Sequence, residues 1–177
     1  MMKTTIAVIG LTISIVLAYG FWHVSTHGWL DMQIRNIAEP NYQTVKDAEI
    51  TFLDASGNIL AAGKSDHIYG VVYLKHPEIG YCVEEESAAP YSARDREQWR
   101  ICYENQSKWI IDWAGKVKYI DLKFDACSLK QVPVSVRKSR GDWWLWWVPL
   151  PHMGGKPETS FHINVRIDLP GCKVKAA

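Results

Sequence analysis

Phe161-His162-Ile163-Asn164-Val165-Arg166-Ile167-Asp168-Leu169 alternates apolar and polar side chains without an exception. A strand turns successive side chains to opposite faces. This run therefore sets Phe161, Ile163, Val165, Ile167 and Leu169 against a core and leaves His162, Asn164, Arg166 and Asp168 wet. Moving outward, the same period of two recurs. Ile120, Leu122 and Phe124 alternate against Tyr119, Asp121, Lys123 and Asp125, and Val132, Val134 and Val136 follow. A turn is expected at Ser139-Arg140-Gly141-Asp142, then a strand Trp143 to Val148. Nearer the start, Ala48, Ile50 and Phe52 alternate, Asp54 to Asn58 supplies a turn, and Ile59 to Ala62 returns. A further β-rich run covers His67 to Leu74 and ends near Pro77.

Between these strands, Ser92 to Trp113 is the helical candidate. Trp99, Cys102/Tyr103, Gln106, Trp109/Ile110 and Trp113 fall at helical spacing, with Ser92 placed to cap and Gly115 to stop the helix. Asn105 to Ser107 is a candidate break, and a hairpin through Trp99, Ile101 and Tyr103 is the rival reading. Seven or so short strands with regular turns predict a mainly β fold: an antiparallel β-sandwich with one helical insert.

The stretch from Val45 to Leu74, with Ala48, the Asp54-Ala55-Ser56-Gly57 turn, Leu60-Ala61-Ala62-Gly63, Ser65-Asp66 and Gly70, resembles the opening hairpin and third strand of carboxypeptidase-regulatory-like (prealbumin-like) β-sandwich domains. The resemblance covers residues 45–74 only and rests on turn and core positions. It implies a sandwich fold and a structural or binding role, and it carries no catalytic residue to transfer. The remainder is longer and richer in Trp and Cys than such a domain needs.

Ahead of the β region lies an apolar run, Thr4 to Trp22, without Asp, Glu, Lys, Arg or Pro. At about 1.5 Å per residue it spans roughly 28 Å, close to a bilayer's hydrocarbon thickness. A secretory signal peptide would use Lys3, the apolar stretch Ile6 to Ala18 and the small-x-small site Ala18-Tyr19-Gly20. An uncleaved transmembrane anchor is the preferred reading, because the run continues through Tyr19, Phe21 and Trp22, aromatics suited to the membrane–water boundary. Lys3 marks the cytoplasmic end. The expected organisation is a membrane anchor over 1–22, a juxtamembrane connector over 23–44 (with a short helix over Asp31 to Ala38 stopped by Pro40), and an extracytoplasmic β-sandwich over 45–177. The expected address is the inner (plasma) membrane, single-pass, with the C-terminal domain outside the cytoplasm.

All four cysteines, Cys82, Cys102, Cys127 and Cys172, fall in the exported part. An even count there reads as two disulfides, and three connectivities are open. The pairs Cys82–Cys102 and Cys127–Cys172 are expected because they close local loops. No two cysteines have the spacing of a zinc half-site. With Lys3 set aside, 19 basic residues face 19 acidic ones, so charge gives no reason to expect nucleic acid.

Trp143-Trp144-Leu145-Trp146-Trp147, followed by Val148 to Pro157, is the segment that looks built for a task. As a strand it is apolar on both faces. The second face would lie under the Trp99/Trp109/Trp113 helix, form an exposed platform for a sugar or a protein, or meet the bilayer interface. The loop 149–160 beside it is long for a hairpin. Trp144, Trp146, His152 and Met153 are the candidate contact residues.

Other constellations carry less. His23 and His27 share a helical face but have no third ligand in sight. His152, Met153 and His162 would suit copper. Glu84-Glu85-Glu86 is read as a solvated edge ahead of calcium ligands. No P-loop, H-E-x-x-H, G-x-S-x-G or dinucleotide fingerprint occurs. The expectation is a non-catalytic interaction or accessory module, anchored through residues 4–22, with no cofactor or metal and with a protein partner in or near the membrane. A glycan-binding module of the envelope is the alternative, and a copper-handling protein or hydrolase built around His152 and His162 is third.

Overall fold

A computed structural model describes residues 2–37, 44–66, 70–82, 93–124, 127–140, 158–168 and 172–174. The chain opens with helix α1 (Met2–Thr26), whose segment Val8–Thr26 is long and apolar enough to cross a membrane by length and composition. Thr12, Ser14, Ser25 and Thr26 turn their hydroxyls back to the carbonyls four residues earlier, so these polar side chains are satisfied within the helix.

Strand β1 (Gly28–Asn36) begins after a single intervening residue, His27. There follow β2 (Glu49–Leu53), β3 (Ile59–Ser65), β4 (Val72–His76), β5 (Gly80–Tyr81) and helix α2 (Ala93–Trp113), which tightens into a 3₁₀ turn over Ala114–Lys116. The rest is β6 (Tyr119–Phe124), β7 (Cys127–Pro133), β8 (Val136–Arg140), β9 (Thr159–Asp168) and β10 (Lys173–Val174). The described residues are thus mainly β, with two α-helices.

One sheet has six antiparallel strands in the order β5-β4-β3-β2-β6-β7. Its first hairpin closes on Asp54, whose carboxylate accepts from the Ser56 and Asn58 N–H groups at 2.8 and 2.9 Å while Gly57 takes φ +83°. That is an Asx turn of the kind the Asp-x-x-Gly pattern predicts. The second sheet is organised about β9. On one edge β1 runs parallel to it, Gly28 opposite Thr159 through Asn36 opposite Ile167; on the other, β8 and β10 run antiparallel at its two ends. The expected antiparallel sandwich therefore holds for the six-stranded sheet and for β8 and β10, and the β1–β9 pair corrects it.

A single apolar core draws on both sheets and on α2. Leu30, Met32 and Ile34 of β1 and Phe161, Ile163, Val165 and Ile167 of β9 meet Ile50, Phe52, Ile120 and Leu122 of the other sheet, with Ile110 and Trp113 of α2. Phe52 and Trp113 lie 5.2 Å apart, ring to ring. The packing is close enough to exclude side-chain atoms. A Cβ on Gly28 would come within 3.1 Å of Ile110, Ile111 and Phe161, and one on Gly63 within 2.6 Å of the Tyr73 carbonyl.

Three local expectations are corrected. The helix expected over Asp31 to Ala38 is not formed where the segment is described: residues 28–36 are β1, with Leu30, Met32 and Ile34 inward and Trp29, Asp31, Gln33 and Arg35 outward, and Ala38 lies outside the described residues. The period of two is present there, and pairing with β9 decides the conformation. Asn105 to Ser107 does not interrupt α2, because its polar side chains serve tertiary contacts instead of competing for the helix backbone. Gln106 Nε2 donates to the Leu74 carbonyl at 3.0 Å, and the buried Ser107 hydroxyl donates to Glu158 at 3.2 Å. Val132, Val134 and Val136 are not one strand. Val132 ends a face of β7, Val136 opens β8, and Ser139 and Arg140 extend β8 where a turn was expected.

Candidate functional site

Where β1, the start of β4 and α2 meet, the side chains leave a cleft of about 390 Å³. Its walls are apolar: Leu30, Val71, Val72, Leu74 and Ile110, with the Cys82 end of a disulfide at one side. Three aromatic rings form its rim. Trp99 and Tyr103, one helical turn apart on α2, stack at 5.3 Å with planes 15° apart, and Trp29 leans on Tyr103 at 5.9 Å. Trp29 and Trp99 stay 43% and 47% exposed, high for tryptophan, so the rim presents apolar surface. The polar atoms nearby are already engaged. Tyr103 donates to Glu158 Oε2 at 3.0 Å, and Gln106 is bonded to Leu74. Burial, followed by the Glu158 charge, pushes the Tyr103 phenol well above its ordinary value, so it is a donor and never a base at neutral pH.

A second cleft of about 470 Å³ shares Trp29, Leu30, Val71 and Val72 with the first and continues past Asp31, Gln33 and Arg35 to Thr44 and Gly70. The two form one groove along β1, apolar toward α2 and polar at the other end.

The outer face of the β9 sheet carries a further constellation. His162 Nδ1 lies 3.2 Å from Asp31 Oδ2, and its Nε2 lies 3.3 Å from Ser139 Oγ. Serine, imidazole and carboxylate stand in the order of a hydrolytic triad, contributed by β8, β9 and β1. The side chains of Asp31 and His162 are 43% and 36% exposed, and neither Ser139 nor His162 lines either of the two clefts above.

At the end of α1, His23 and His27 are buried with their rings stacked at 3.8 Å. Burial, then the His23 ring, lowers the pKa of His27. The helix end is held by Thr159, whose hydroxyl donates to the Val24 carbonyl at 2.7 Å and whose N–H donates to the His27 carbonyl at 3.0 Å. Among the described residues no group of three His, Cys, Asp or Glu side chains is placed to hold a metal.

Both disulfides form as expected. Cys82–Cys102 ties the end of β5 to α2, and Cys127–Cys172 ties β7 of one sheet to the segment leading into β10 of the other. The candidate contact residues Trp144, Trp146, His152 and Met153 lie outside the described residues, as do Glu84, Glu85 and Glu86. His162, read as a copper ligand, faces Asp31 and Ser139. Neither Trp29 nor the Trp99–Tyr103 stack stands out in the sequence as a site. The signal for the stack is the i, i+4 spacing on α2; Trp29 is hidden by the reading of 23–44 as a connector. Set against family models, curated proteins and solved structures, the chain matches none.

Proposed function

We propose that this protein is a membrane-anchored, extracytoplasmic, non-catalytic accessory module that binds a protein partner in or near the membrane. The observation that carries the reading is the open aromatic cleft of Trp29, Tyr103 and Trp99 on a domain joined directly to an apolar helix. Aromatic anchors over an apolar pocket are what protein hot spots are built from. Two disulfides fit an oxidising compartment, which supports single-pass insertion in the inner membrane with the β domain outside the cytoplasm. The likeness of residues 45–74 to carboxypeptidase-regulatory-like domains agrees with a binding role.

The test is a mild-detergent pull-down of the tagged full chain from its native membranes. The Trp29→Ala/Trp99→Ala protein is run alongside, and a Trp144→Ala/Trp146→Ala protein checks the aromatic strand as a second contact. A stoichiometric companion lost with the Trp29/Trp99 change is the expected result. A chain that elutes alone removes the reading. Exposed rings also favour an envelope glycan as the alternative ligand, and retention of the full chain on a polysaccharide column would select it. The Ser139–His162–Asp31 order favours a hydrolase third: Ser139 labelled by a fluorophosphonate in the folded protein would establish a reactive serine.

A further inference from the structure

The two clefts follow a strand edge, and main-chain parity shows what that edge offers. Ile37 N–H donates to the Ile167 carbonyl, and Thr159 N–H donates to the His27 carbonyl, so odd-numbered main-chain groups of this strand face β9. The Ile34 carbonyl instead accepts from Val45 N–H at 2.8 Å, next to the Arg35–Thr44 bridge, so even-numbered groups face away. Among the described residues that outer edge is paired only from Ile34 onward. Leu30 and Met32, which line the groove, therefore turn their N–H and C=O groups toward it.

We infer that the edge of β1 at Leu30 and Met32 is a strand-addition site for an extended segment of a partner protein. The inference rests on the accessory-module reading and names how its partner is held. Unpaired main-chain donors and acceptors at a strand edge select a peptide backbone, which supplies both in alternation at strand spacing. An acyl chain has neither, and a sugar cannot repeat the spacing. A strand also sends alternate side chains to opposite sides. The apolar end, under Trp29 and Tyr103, takes a large apolar side chain. The polar end, with Arg35 and Asp31, takes a hydrophilic one.

The experiment uses the full chain in nanodiscs and a displayed random-peptide library. Peptides that enrich are expected to place a large apolar residue at a fixed spacing from a polar one. On adding such a peptide, amide exchange at Leu30 and Met32 should slow by about tenfold or more, while the ladder amides of Asp31 and Gln33 stay unchanged. Met32→Pro removes an edge N–H without touching the β9 ladder and should weaken the peptide by about tenfold. Met32 is also a core side chain, so the exchange measurement on the unaltered chain decides the matter if that variant does not fold. No enrichment, or a bound peptide that leaves both amides unprotected, overturns the inference. In the pull-down, a companion lost with Trp29→Ala/Trp99→Ala but kept by folded Met32→Pro would leave the module reading standing and overturn this one alone.

Discussion

Thr159 is the residue on which the join between helix and domain depends. Its side chain is fully buried; its hydroxyl donates to the Val24 carbonyl of α1 and its N–H to the carbonyl of His27, which follows the helix. Thr159→Val keeps the shape and strands the Val24 carbonyl, so the full chain should lose about 1–3 kcal/mol of stability, read by thermal or denaturant unfolding. His27 beside it makes the same join sensitive to acid. Its pKa is lowered in the fold, so the unfolded chain binds more protons and stability falls as pH falls. The contribution is complete above about pH 6.5 and is lost as pH drops through the lowered value. His23 from α1 and Lys108 and Glu104 from α2 share that environment. The melting temperature should therefore decline on acidification, and His27→Gln should flatten the decline. At Gly63 the constraint is steric. A methyl would meet the Tyr73 carbonyl in the neighbouring strand, and Gly63→Ala should cost about 1–3 kcal/mol by the same unfolding measurement.

Among the elements, the disulfides have separable weights. Closing loops of 20 and 45 residues stabilises by about 3 and about 4 kcal/mol on chain entropy. Replacing Cys127 and Cys172 by Ala should therefore lower the denaturant midpoint more than replacing Cys82 and Cys102, with the second change also loosening α2 from β5. Elements with a strong period are legible in the sequence itself. Strand β9, the β2–β3 hairpin and α2 all follow from side-chain spacing and turn chemistry, and the cysteine pairing follows from locality. What is not legible depends on distant partners. Residues 28–36 carry a strand pattern beside a proline that suggests a short helix, and only β9, more than a hundred residues away, settles the conformation. Gln106 and Ser107 look like helix breakers until Leu74 and Glu158 claim their side chains. The cleft is hidden for the same reason, since Trp29, Val71 and Tyr103 are brought together by three separate parts of the chain.

For the whole molecule, the proposed anchoring predicts that the chain stays with the membrane fraction through alkaline carbonate extraction and keeps the mass of the uncleaved sequence. Release into the soluble fraction with loss of the residues before Phe21 would favour the signal-peptide reading. Only His27 separates α1 from β1, and Thr159 locks that corner. A flexible tether lets a domain wander over the membrane surface, and this junction removes that freedom. A spanning helix answers a thicker or thinner bilayer by changing its tilt. With no hinge above it, the proposed anchoring makes the domain lean as the helix leans, so that bilayer thickness would set the angle at which the groove is presented.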